Sequence, residues 1–206
     1  MKRVVNRLLD VAPDAAYWTV VVVLLGLSAA FIVNVQGRRG AWATDKGTVD
    51  VASGTKIKVL QVIDGDEVSV SYDGGTIVVR LLGIKAFDPK VQEPGISAVG
   101  QACALALERM TKGESALVTV EYDEAKTDKA GRLLAYLKAN DVDVGQALVE
   151  QGHALVYTRY PFSREEAYLG VEAVARTRGE GLWSNPKASI RAEALKATWE
   201  AQRKDG

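Results

Sequence analysis

"VIDGDEVSVSYDGGTIVVRLLGI" occupies residues 62–84 of a chain of 206. Val68, Val70 and Tyr72 alternate with Ser69 and Ser71, the period-two pattern of a strand with one buried face. Asp73-Gly74-Gly75 supplies hairpin-turn chemistry, and residues 77–84 return as another strand. Upstream, 56–63 alternates toward a strand, separated from the next by the turn signal Asp64-Gly65-Asp66. Three consecutive strands joined by tight turns are the start of an antiparallel sheet.

Working outward, Ala98, Ala102, Leu105, Ala106, Arg109 and Met110 recur at helical spacing over 97–112, and Gly113 stops that helix. A fourth strand is expected over 116–122, a polar loop over 123–130 and a fifth strand over 132–137. Asp143 caps a short helix that runs through Gln151 and ends at Gly152. A third helix covers 164–178 and closes at Gly179-Glu180-Gly181, with Trp183 beyond. Strands, helix, strands, then helices predict an α+β fold, a five-stranded antiparallel OB-type β-barrel with packed helices. The Ala-rich, charged helix over 187–203 reads as peripheral.

Composition narrows the chemistry. Apolar content of 48% and charged content of 25% permit a packed core. The 26 basic residues balance 26 acidic ones, so bulk charge alone argues for no nucleic-acid partner, although a local basic patch remains open. The single cysteine, Cys103, excludes an intrachain disulfide and a Cys-based zinc site. With His153 the only histidine, a metal here needs oxygen ligands, which favours calcium or magnesium.

No charged residue lies between Asp14 and Arg38. The apolar run 15–37 covers roughly 34 Å at about 1.5 Å per residue, against a bilayer core of about 30 Å. Tyr17 and Trp18 suit the membrane interface. The expectation is one transmembrane helix and a single-pass membrane protein. Lys2, Arg3 and Arg7 on one side tie with Arg38, Arg39 and Lys46 on the other, so the short leader, not the charge count, points the C-terminal domain outside the cytoplasm. The alternative is a cleaved signal peptide at Ala41-Trp42-Ala43; the length of the run, Asp10 and Asp14 in the leader and the intervening Arg38-Arg39 weigh against it. The expected organisation is a tail (1–14), transmembrane helix (15–37), linker (38–53), barrel domain (54–186) and helical extension (187–206).

"VIDGDEVSV", "VRLLGI", "TDKAGRLLAYL", "VGQALVEQGHALVY" and "GLWSNP" follow one another in an order that resembles the staphylococcal nuclease family, from residue 56 to about 186. The resemblance implies an OB-fold barrel and calcium-dependent cleavage of DNA and RNA. By the same resemblance, Asp66 is a metal-ligand carboxylate and Asp64 a second acid of that turn. Arg80 and Arg132 are the two phosphate-binding arginines, Tyr157 and Tyr160 contact the nucleotide, and Lys129 lies near the substrate phosphate. In such sites a dication polarises the phosphate and positions water, arginines stabilise the developing charge, and a carboxylate activates the water.

One segment departs from the family pattern. Where active members carry a metal-binding Asp, this chain has Lys85, and Asp88 stands in the place of the water-activating Glu, one methylene shorter. An ammonium at about 4 Å from a dication costs roughly 8 kcal/mol at an effective dielectric of about 20, twice the unit-charge figure. Two outcomes are open. Lys85 swings away and a water-rich metal shell remains, or its ammonium replaces the metal and binds phosphate directly with Arg80 and Arg132. The first expectation is therefore a membrane-anchored, metal-dependent nuclease with Arg80, Asp88 and Arg132 catalytic. The alternatives are a nucleic-acid-binding module on the same barrel face and a membrane-tethered protein-interaction domain.

Overall fold

The computed structural model describes residues 18, 21–23, 51–112, 117–123 and 127–204. The alternating segment folds into β1 (Lys56–Asp64), β2 (Glu67–Tyr72) and β3 (Gly75–Leu81), which turn Ile57, Val59, Val68, Val70, Val79 and Leu81 inward. β2 and β3 pair antiparallel from Tyr72 opposite Gly75 down to Glu67 opposite Arg80. β4 (Ile84–Lys85) follows, then α1 (Pro94–Thr111), β5 (Leu117–Glu121), β6 (Leu133–Ala139) and β7 (Val142–Asp143). Next come α2 (Val144–Glu150), β8 (Leu155–Val156), α3 (Glu165–Arg178), a 3-10 turn (Gly181–Ser184) and α4 (Pro186–Lys204).

The sheet order is β3-β2-β1-β5-β6-β7, and β3 also pairs with β6, so five strands close into a barrel as expected. The closing seam is parallel, from Val79 opposite Leu133 to Leu81 opposite Ala135, which corrects the expectation of a wholly antiparallel barrel. The reason is parity. Five strands that alternate in direction leave the first and last pointing the same way, so the seam between them must be parallel.

The helix ends follow local chemistry. The Asp143 carboxylate accepts a hydrogen bond from the Gln146 N–H at 3.0 Å and caps α2, while Gly179 ends α3 in the left-handed conformation. α1 starts at Pro94, whose fixed φ and missing N–H suit a first turn. Val51, placed in the expected linker, is fully buried in the barrel core.

Two expectations are corrected. The last helix is not peripheral: α4 buries Ala188, Ala192 and Trp199 against Phe87, Ile96, Leu155, Leu182 and Trp183 in a second core beside the barrel. Its sequence looks charged because only a narrow stripe faces inward. The single-pass membrane assignment is also overturned. Among the described residues no helix is long and apolar enough to cross a membrane. Of the expected span, Trp18 and Val21, Val22 and Val23 are helical, and the rest lies outside the described residues. The apolar run and its flanking Tyr17 and Trp18 drove that expectation, and the membrane partner assigned through it has no support.

Candidate functional site

The Asp64-Gly65-Asp66 turn lies over α1. A Cβ added to Gly65 would stand 2.6 Å from the Ala86 Cβ and 2.7 Å from the Cys103 Sγ, so only glycine lets the turn pack this closely. The consequence is burial: Asp66 is 0% exposed. A buried carboxylate must be paired, and three groups meet it. Arg80, brought alongside by β3, forms an ion pair with Oδ1. The Lys85 Nζ donates to Oδ2 at 3.1 Å and the Ala86 N–H donates to the same oxygen at 2.9 Å. Burial pushes the Asp66 carboxyl up, but Arg80 and Lys85 outweigh it and hold it below the usual carboxylate range. Asp64 accepts the Asp66 N–H at 3.0 Å; burial and the Asp66 charge push its carboxyl up to about 6.

Arg80 is held on its other side, where Nη2 donates to the Ile84 carbonyl at 3.2 Å. Arg132 pairs with Glu67 through Nη1, and its Nε donates to the Asp128 carboxylate at 2.7 Å. The Glu67 carboxylate also lies 3.8 Å from the Arg80 Nη1. Asp66, Glu67 and Asp128 thus face Arg80, Lys85 and Arg132, three carboxylates against three cations.

These side chains line or underlie a cleft of about 1090 Å³. Glu67, Arg80, Lys85, Asp128, Lys129 and Arg132 form one wall, and Tyr157, Tyr160 and Phe162 another. Tyr160 is 58% exposed and meets Tyr157 edge-on at 6.1 Å between centroids, with the Arg159 guanidinium 5.3 Å from the Tyr160 ring. Behind them, Tyr157 packs edge-on against Trp199 of α4 at 4.9 Å, and the Arg203 guanidinium donates to the Thr158 carbonyl at 3.2 Å. The helix expected to be peripheral braces the aromatic wall.

Of the sequence-predicted site residues, Arg80, Lys85, Lys129, Arg132, Tyr157 and Tyr160 line this cleft, and Asp66 lies directly beneath it. Asp88 does not line it. Phe87 is buried in the second core and Ala86 under the acidic turn, which leaves Asp88 exposed and accepting the Lys90 N–H at 2.7 Å in its own turn. A Cβ on Gly100 would stand 2.5 Å from the Phe87 carbonyl, so α1 clamps this segment from behind. Glu67 and Asp128 were not singled out from the sequence, yet both pair with Arg132. The signal for Glu67 was available: counted from the hairpin turn, it falls opposite Arg80.

A dication needs free carboxylate oxygens. Asp64, Asp66 and Glu67 do form an acidic cluster, with one candidate ligand atom from each lying within 4.8 Å of the others. Both Asp66 oxygens, however, are already engaged by cations or an N–H, and Glu67 is paired with Arg132. The Lys85 ammonium lies 3.1 Å from Oδ2 of Asp66, where it would repel a dication brought to that oxygen. As paired, these residues do not fit a dication.

The sequence profile of the family described as staphylococcal nuclease homologue matches residues 78–185. A protein named ParB from Escherichia coli is 31% identical over 157 residues, covering 72% of this chain and 77% of that protein. The thermonuclease of Staphylococcus intermedius is 30% identical over 132 residues, 64% of this chain and 77% of the enzyme. An uncharacterized protein of Bacillus anthracis is 30% identical over 134 residues, and the match spans 63% of this chain but only 61% of that relative's length.

Proposed function

Because this chain belongs to the staphylococcal nuclease family, we propose that its cleft binds the sugar-phosphate backbone of single-stranded DNA or RNA without a metal. Family membership supports a nuclease or nucleic-acid-binding function. The observation that favours metal-free binding is the Lys85 ammonium 3.1 Å from the buried Asp66 carboxylate. Asp66 fixes the ammonium, and the lysine has three donors, of which Asp66 takes one. The others serve a phosphate oxygen in the cleft, with Lys129 beside it. Tyr160 and Tyr157 offer faces and edges on which bases stack without sequence preference.

The test is binding of a short labelled oligothymidylate by the full chain in the presence of chelator. Binding that weakens steeply with salt supports the reading, because cations that neutralise phosphates release counterions. Binding that disappears on chelation sinks it. Metal-dependent hydrolysis of phosphodiesters is the second reading, favoured by Arg80 and Arg132 on the cleft wall and by the similarity to enzymes named thermonuclease. Cleavage with calcium, magnesium or manganese, above that of an Asp66→Ala, Arg80→Ala double variant, would put it first.

A further inference from the structure

Glu67 is the first residue of β2, opposite Arg80 in the β2–β3 register. Its carboxylate is ion-paired with Arg132 and lies 3.8 Å from the Arg80 guanidinium, on the wall of the cleft. Its side chain is 15% exposed, so this is a held position and not a trailing surface charge. A singly charged carboxylate between two guanidinium groups has the charge and donor demands of a phosphodiester. Both arginines also hold other partners: Nη1 of Arg80 pairs with Asp66 and its Nη2 donates to the Ile84 carbonyl, while Nε and Nη2 of Arg132 meet Asp128.

Resting on the reading of the cleft as a backbone-binding site, we propose that Glu67 is a selectivity residue that competes with the ligand phosphate for Arg132. A phosphate that enters between the arginines meets a position already held by the Glu67 carboxylate. It takes Arg132 from Glu67, one anion for another, so the exchange returns little net Coulomb energy. Lys85 and Lys129 then supply the attraction that is not cancelled, and Glu67 sets how much of the guanidinium pair a strand can use. Neutralising Glu67 frees Arg132 for phosphate and adds one phosphate contact to the complex.

The experiment compares the full-length wild type with Glu67→Gln, using a short oligothymidylate in chelator across a salt series. Glu67→Gln is expected to bind about tenfold tighter, and its plot of log affinity against log salt to steepen by about 0.7, the increment for one more neutralised phosphate on a single strand. Arg132→Ala is expected to erase that gain when added to Glu67→Gln. A structural role for Glu67 would lower affinity and leave the salt slope alone. If the wild type binds and Glu67→Gln binds no tighter, the competition is refuted while the cleft reading stands. If neither binds, both fall; if only Glu67→Gln binds, the competition is upheld in its strongest form. Should Glu67→Gln not fold, Glu67→Ser reads the same outcomes.

Discussion

Two arginines in this molecule carry the same kinds of partner in different surroundings. Arg132 stands between Glu67 and Asp128; Arg164 stands between Glu121 and Asp143. Their side-chain exposures are close, 33% and 26%. The difference is what covers the guanidinium face. Arg164 lies 3.8 Å from the centroid of the buried Tyr136 ring, and its Asp143 partner also accepts the Tyr168 hydroxyl at 2.8 Å. Its charge is spent holding α3 to the barrel. Among the described residues no ring lies over Arg132, and it faces the cleft. Ion pairing alone therefore does not separate the two; what separates them is a face beside a cavity, the feature on which the proposed binding role of Arg132 rests.

The largest way to break this contrast is at the structural arginine. Arg164→Ala removes the cation shared by Glu121 and Asp143 and is expected to cost about 3 kcal/mol in denaturant unfolding, the lower end for a broken, partly buried pair. Oligonucleotide affinity of the folded variant should not change. A large loss of affinity with unchanged stability would reverse the roles of the two arginines.

Second in size is the exchange of ammonium for carboxylate beneath the cleft. Lys85→Asp sets a second carboxylate against Asp66 and leaves Arg80 the cation paired with Asp66, so the variant should then take up calcium. Calcium at about a hundred times its dissociation constant adds about 2.7 kcal/mol, or roughly 5–10 °C in thermal midpoint for a chain of this size. The wild type should not shift. A wild-type midpoint that climbs with calcium would show that Lys85 yields its place.

Arg132→Ala ranks third. Its partners Glu67 and Asp128 are largely shielded, 15% and 19% exposed, so the variant is expected to lose about 2 kcal/mol of stability, below the figure for a fully buried broken pair, while oligonucleotide affinity falls about tenfold.

The smallest effect is with acid. Lys138 and Arg164 hold the Glu121 carboxyl below its usual range; burial works against Asp128, but hydrogen bonds from Arg132 outweigh it and lower it too. A depressed carboxylate contributes stability at neutral pH and loses it as pH falls through the folded-state value. Asp128→Asn and Glu121→Gln should therefore each flatten the acid limb of the stability curve below about pH 4. Each effect should stay under about 1 kcal/mol, as expected for screened pairs.

Much of the barrel was legible because its information is local. Alternation and turn residues placed β1 and β2, and the caps placed α2 and α3, within a residue or two, whereas the strand expected over 77–84 is β3 (Gly75–Leu81) followed by the separate β4 (Ile84–Lys85). What escaped was set at a distance. The narrow inward stripe of α4 has meaning only against Phe87 and Trp183, which come from other parts of the chain. Of the site, the cations and aromatics of the cleft were readable from resemblance, but not the destination of Lys85, which depends on how deeply Gly65 lets Asp66 sink. Asp88 was aligned with a water-activating residue by position in the sequence. The burial of Phe87 beside it, which turns Asp88 outward, is a matter of packing.

The edge-on contact between Trp199 and Tyr157 has a practical consequence. Tyr157 lines the cleft and its ring centroid is 4.9 Å from the indole. A base that stacks on the Tyr157–Tyr160 pair alters the surroundings of a fluorophore already in place. Indole emission of the unlabelled protein should respond to oligonucleotide, and Trp199→Phe should silence that component while Trp18, Trp42 and Trp183 still emit. The chain carries its own optical probe of cleft occupancy, supplied by the helix whose sequence gave no hint of proximity to the site.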